Sequence, residues 1–494
     1  MPTWHTSAQL RTIIISDLRH AAIPALILTA LLGTQSAYAA ASHDYTITVD
    51  AELSRLDVTA RFGGTINDIA ARSRSAARFL IDANDCDSGK AVEIRGRRML
   101  LAGTEIRCLT YSVDLAKIIR AEKRNESLAA HNVIASPTTW MWRPPLDTDD
   151  EIAVAFRLPE AVNVSVPWKK IDALDKTYRL TASPQSGSAI AVFGRFDTVV
   201  THVASMDLTI TLLQAANETA TAAIVEWIRD TAKNIMLAYG RFPNPDASVV
   251  VFPVEGKSRR GESAVLFGRV VRDGGESVEL LIDASQPIES SYGDWTATHE
   301  FAHLMLPYVH REQRWISEGF AQYYQNVLLA RAGHYAQQFA WQKLHDGLAR
   351  GHTSVPDLSP NEAAAGDERS GRMKIYWSGA ALALLADIEL RGRPDGEESL
   401  DVVLDRFQQC CLPSARTWTG IELFTKFDML IDEPLFMDLY RRYADATGFP
   451  DVRPLLAQLG VTLDGDTVRL SDDAELAEIR AAITAQRYTE EPGN

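Results

Sequence analysis

Cysteine is scarce, with four in 494 residues and none in C-x-x-C spacing, so a thiolate metal site is not expected. No G-x-S-x-G elbow occurs, which leaves serine-hydrolase chemistry without its nucleophile. Basic charge is in deficit: 50 Lys and Arg stand against 65 Asp and Glu, a net charge of −15. Such a balance repels phosphate backbones and anionic lipid heads, so nucleic acid is not an expected partner. Past residue 40 no apolar run reaches 18 residues, and no stable membrane insertion is expected there. Internal repeats and long low-complexity linkers are also missing.

What is present fits a folded, multidomain chain. Apolar residues make up 46% and charged residues 23%, near the globular average, and this length predicts about two to four domains. At the start, Arg11, Arg19 and His20 precede an uncharged stretch at 21–33, followed by Ala37-Tyr38-Ala39 in a small-x-small pattern. Residues 1–39 therefore read as a cleaved signal peptide, with a retained anchor as the alternative. A periplasmic or secreted location follows, where disulfides persist. Cys86 and Cys108 flank turn and strand text and are expected to pair, closing a loop worth about 3 kcal/mol. Cys410 and Cys411 are adjacent: free, joined to each other, or used between chains.

From about residue 45 to 213, segments such as YTITVDAEL, EIRCLTYSVDL and DEIAVAFRL alternate apolar with polar, which predicts an all-β sandwich over 40–215. The Trp140-Met141-Trp142-Arg143-Pro144-Pro145 stretch is either a ligand-stacking surface or the cover of a sheet edge. Near residue 218 the period changes. Ile224, Ile228, Ile235 and Tyr239 form a helical stripe closed by Gly240, so a second domain is drawn at 216–335. Strands are predicted at 248–254, 262–271 and 277–284, the last two joined by an Asp273-Gly274-Gly275 turn. Helices follow, and 336–494 is predicted to be mainly helical, with the polar stretch 356–372 as a loop.

The chemistry concentrates at His299-Glu300-Phe301-Ala302-His303. On a helix, residues four apart share a face, so both imidazoles can hold one ion while Glu300 reaches a water beside it. A catalytic zinc needs a third protein ligand and an open position. Metzincin spacing fails, because Leu306 and Val309 stand where glycine and histidine are required; His310 misses by one. A glutamate on the following helix meets the requirement, and Glu318 supplies it after Pro307 ends the first helix. Gly256-Lys257-Ser258 ends like a phosphate loop but lacks the earlier glycine.

HEFAH followed by WISEGFAQYYQNVLLARAG resembles the gluzincin metallopeptidases, particularly the glycyl-aminopeptidase family with its W-x-x-EGF-x-x-YY helix, and more distantly the membrane alanyl aminopeptidases. The resemblance implies an α+β multidomain fold: an N-terminal β-sandwich, a thermolysin-like zinc peptidase domain and a C-terminal helical domain. It implies one Zn²⁺ on His299, His303 and Glu318, with Glu300 as general base. It also implies an oxyanion-donating tyrosine at Tyr376, in Tyr376-Trp377-Ser378-Gly379, where Ser378 replaces the family's lysine; a core tyrosine is the alternative. Alanyl-type relatives bind the substrate amine with a glutamate upstream of HExxH. Glu262, in Gly261-Glu262-Ser263-Ala264, keeps the residue types without the order, and is either that anchor or an exposed carboxylate. The expected function is zinc-dependent peptide hydrolysis, as an aminopeptidase acting on peptides or proteins. Alternatives are a secreted endopeptidase and a non-enzymatic binding protein on the same scaffold.

Overall fold

Alternation sends Tyr45, Ile47 and Val49 to one face of the strand Ser42–Val49, and Leu56, Val58 and Ala60 to the same side of Arg55–Ile66. In the computed structural model the two pair antiparallel, and Ser42–Val49 also pairs parallel with Glu151–Arg157. These are the middle of a seven-stranded sheet, which shares one buried cluster with a three-stranded and a four-stranded sheet. Trp140 and Trp142 are fully buried in that cluster, so they serve packing and not ligand stacking. Cys86 and Cys108 are bonded, as are Cys410 and Cys411. The structure describes residues 42–485 except 102–105, 122–131, 172–175, 185–188, 205, 214–217, 245–246, 258–262, 367 and 395. The expected signal segment and Glu262 lie outside the described residues.

The next two strands, Asp197–Val203 and Met206–Leu212, leave those sheets. They open a five-stranded sheet whose order continues with Ser248–Val254, Glu276–Asp283 and, at the edge, Val265–Arg272. Met206–Leu212 runs parallel to Ser248–Val254 through the helix Glu218–Met236, a β-α-β crossover. By sheet membership these two strands belong with Ser248–Val254 and not with the strands before Gly194. Alternation identifies a strand but says nothing about which sheet will take it. Gly240 closes the crossover helix at φ +85°, its N–H donating to Met236 O.

Helices follow, most of them amphipathic toward one continuous core that also holds the five-stranded sheet, so the expected line at 335 crosses no gap in packing. A hairpin, Val461–Asp464 with Thr467–Leu470, interrupts the helical region. Within the expected loop at 356–372 the structure has a helix, Pro360–Ala365, opened by a Ser359/Glu362 capping box. Proline pre-shaped for the first turn and reciprocal side-chain bonds outweigh the segment's polarity. Among the described residues, no helix is long and apolar enough to cross a membrane.

Beneath the site helices lies a buried charge network. Arg331 grips both oxygens of Asp401 at 3.1 and 2.9 Å, and Arg391 joins Asp401 to Asp387, each at 2.9 Å. The Tyr323 and Tyr324 hydroxyls donate to Asp387 and Asp401 at 2.7 and 3.0 Å. Removing one partner strands desolvated charges. Asp401→Ala is expected to lower the unfolding free energy by about 3–5 kcal/mol, read by denaturant titration; a loss under about 1 kcal/mol would show that water reaches the two guanidinium groups.

Candidate active site

Asp294 starts the first site helix, its carboxylate accepting from Thr296 N at 2.7 Å. Trp295–Ala302 then places His299 and Glu300 in nearly complete burial, and a 3₁₀ turn, His303–Met305, finishes the element. Carbonyls at a helix end need partners. The buried Arg272 guanidinium supplies them, donating to His303 O at 3.1 Å and Leu306 O at 3.2 Å. The short connection is pinned as well: His310 N–H donates to Trp418 O and Trp418 N–H to Tyr308 O, each at 2.9 Å. His310 itself is exposed and outside the cluster. The chain then enters Trp315–Arg331, with Glu318 in the first turn.

His299, His303 and Glu318 each bring one ligand atom into a cluster whose members all lie within 4.8 Å of one another. A Glu318 oxygen sits 3.3 Å from His299 Nε2 and 3.4 Å from His303 Nε2. Tetrahedral zinc with ligands at roughly 2.0–2.1 Å spaces those ligands about 3.3–3.4 Å apart, so the separations suit the ion. A neighbouring side chain can orient the ring. His299 Nδ1 lies 2.8 Å from Gln325 Oε1; in the tautomer that carries its proton on Nδ1, the form a metal ligand requires, Nε2 presents its lone pair on the Glu318 side.

The local charges keep Glu318 in its anionic form. Burial works against charge on Glu318, yet His303 and His299 overcome it and hold the carboxyl far below the usual carboxylate range. Burial alone would lower His299; hydrogen bonding to Glu318 and the charge of Glu300 reverse the effect. Glu300 is pushed up by burial, with the imidazoles opposing, as suits a group that must accept and return a proton.

Two close approaches set the walls. Gly268, inside the edge strand Val265–Arg272, lies against Glu300; a Cβ there would come 2.5 Å from Glu300 Cγ. Gly319 and Gly379 bring the helices Trp315–Arg331 and Glu368–Arg391 into backbone contact, since a Cβ on Gly319 would meet Gly379 Cα at 2.2 Å. That crossing seats Tyr376, half-buried, with its ring stacked on His299 at 5.6 Å between centroids and 14° between planes. Tyr376 therefore lies beside the candidate ligands and not in the interior of the helical core. Gln325 and Gly268 escaped the sequence reading. An isolated glycine inside a strand is a signal of close approach, whereas nothing local marks Gln325 beyond its place two turns after Glu318.

Known proteins resemble this chain in two ways. The family model for M61 glycyl aminopeptidase matches residues 306–364, which include Glu318. No curated protein matches. Among solved structures, an aminopeptidase N family protein from Idiomarina loihiensis superposes with a TM-score of 0.58 at 15% identity, covering 85% of this chain and 78% of that one. Yeast LTA4 hydrolase gives a TM-score of 0.55 at 11% identity, covering 84% and 68%. These neighbours share the mixed α/β fold, and with the family match they accord with the gluzincin resemblance.

Replacing Gln325 by leucine removes the acceptor that orients His299, so zinc affinity should fall about 10–100-fold in competition with a chelator. Gly268→Ala should leave zinc content intact and lower kcat, because its methyl displaces Glu300. An unchanged chelator midpoint, or an unchanged kcat, would detach the corresponding residue from the site.

Proposed function

We propose that this protein is a zinc-dependent peptidase that removes residues from peptide N-termini in a periplasmic or extracellular space. The observation that carries the reading is the convergence of His299, His303 and Glu318 within bonding reach of one ion, with Glu300 and Tyr376 beside them. The two disulfides fit an oxidising compartment.

His299, His303 and Glu318 would hold one Zn²⁺, which when bound supplies a Lewis acid that acidifies water and polarises a peptide carbonyl. Glu300 takes the proton from the attacking water and delivers it to the departing amine. Tyr376 donates a hydrogen bond to the oxyanion of the tetrahedral intermediate. Gln325 keeps His299 in the tautomer that presents Nε2. Glu262, from its place in the sequence just ahead of the edge strand, is the candidate anchor for the substrate amine; without such an anchor the same chemistry would serve an endopeptidase. A binding protein on a decayed scaffold is disfavoured, because all three ligands and the base are kept.

Glu300→Gln should retain one zinc per chain while hydrolysis falls by several orders of magnitude. Tyr376→Phe should lower kcat more than it raises KM. Matched free and N-acetylated peptides, with products read by mass spectrometry, test the exopeptidase reading: stepwise N-terminal loss from the free set alone is expected. Equal internal cleavage of both sets would make the enzyme an endopeptidase, and a chain without metal or hydrolysis would end the peptidase reading.

A further inference from the structure

Next to the metal cluster is a cavity of about 290 Å³. Three of its lining residues touch the His299 ring: Trp295 packs edge-on at 5.6 Å, Gln325 lies 2.8 Å from Nδ1, and Tyr376 stacks on it. A group held in this cavity is therefore one side chain away from the reacting centre. The rest of the wall carries three cations among uncharged residues. Lys343 and Arg350 come from one helix, Gln337–Thr353, two turns apart, and Arg372 comes from the Tyr376 helix, one turn before Tyr376. Residues so spaced share a face.

Among the described residues no carboxylate lines the cavity, and none pairs with these three cations. Lys343 instead lies over the Phe339 ring at 5.1 Å, and Arg350 over Trp377 at 5.7 Å. The acid nearest in sequence to Lys343 on its own helix, Asp346, is engaged by Gln342 and His345. In a chain of net charge −15, three exposed cations without acidic partners among the described residues gather positive charge around one concavity. Such a concentration of charge attracts an anion and rejects a cationic side chain.

We propose that this cavity is a subsite for a carboxylate of the peptide substrate, recognised by Lys343, Arg350 and Arg372. The inference rests on the peptidase reading for its ligand class, and deepens it by naming the feature selected. The carboxylate has two sources, an Asp or Glu side chain or the substrate's free C-terminus.

Binding is measured on zinc-loaded Glu300→Gln protein, so that affinity is read without turnover, and hydrolysis is measured on wild type in parallel. One arm compares C-terminally amidated peptides carrying Glu or Gln at each position; the other compares the free acid and amide of a short Gln-containing peptide. The acid is expected to bind roughly tenfold or more tightly than its neutral isostere in one arm, which identifies the source. That preference should shrink as salt rises and collapse when Lys343→Gln and Arg372→Gln are combined, while Arg372→Lys preserves most of it. Equal affinities in both arms, or a preference that survives the double substitution, would overturn the inference. Wild-type hydrolysis without any preference would remove the subsite and leave the peptidase reading standing; preference without hydrolysis would do the reverse.

Discussion

The backbone contact between Gly319 and Gly379 is the constraint on which the site depends. A side chain on either residue would run into the opposite helix: a Cβ on Gly379 would reach Trp315 O at 2.0 Å. Glu318 immediately precedes one of these glycines, and Tyr376 lies three residues before the other. The crossing thus places Glu318, a candidate metal ligand, and Tyr376, the proposed oxyanion donor, from two separate helices around the same imidazole. The adjoining helix is fixed in the same way, with Trp377 seated against Gly347 and Gly351. Close packing leaves no room for adjustment at such contacts. The paired tyrosines of the motif helix have a different task, tying it to Asp387 and Asp401 below the site.

The opposite wall is held from the sheets before residue 195. The turn at Asp273-Gly274-Gly275 docks there: Arg143 and Arg72 pair with Asp273, Trp168 Nε1 donates to Asp273 O at 2.8 Å, and Gly274 N–H donates to Ser183 Oγ at 2.6 Å. A Cβ on Gly275 would come within 2.0 Å of Pro167 O. The edge strand with Gly268 leads into this turn, and Arg272 at its end holds the last carbonyls of the first site helix. The sheets before residue 195 therefore contribute to the site by fixing the strand that walls Glu300, without providing a ligand.

The parts legible in the sequence were those that depend on one element's period. HExxH becomes a face because a helix turns every 3.6 residues, and Glu318 can be proposed from one helix stop and the next helix start. The Cys86–Cys108 pair was likewise readable from its flanking strand text. What could not be read depends on which elements meet. The strands at 197–212 alternate like those before them, and only their pairing with Ser248–Val254 assigns them to the second sheet. Gln325 is an ordinary helical glutamine until His299 faces it. The Pro360–Ala365 helix is a different case, since Ser359, Pro360 and Glu362 already spell a cap in the sequence; polarity over the whole segment obscured a local signal.

The charge pattern explains why these elements need a cation as well as packing. His299 and Glu300 are nearly fully buried and Glu318 sits among them, an arrangement in which two carboxylates and two imidazoles share one desolvated space. Without compensating positive charge each carboxylate raises the cost of the other. A divalent ion removes that conflict and bonds to groups from both site helices, so its binding energy contributes to holding them together. Because the Gly319–Gly379 contact couples the second of these helices to the Tyr376 helix, metal binding also bears on the position of Tyr376. The proposed ion site, the helix crossing and the proposed oxyanion donor thus share one set of close backbone contacts.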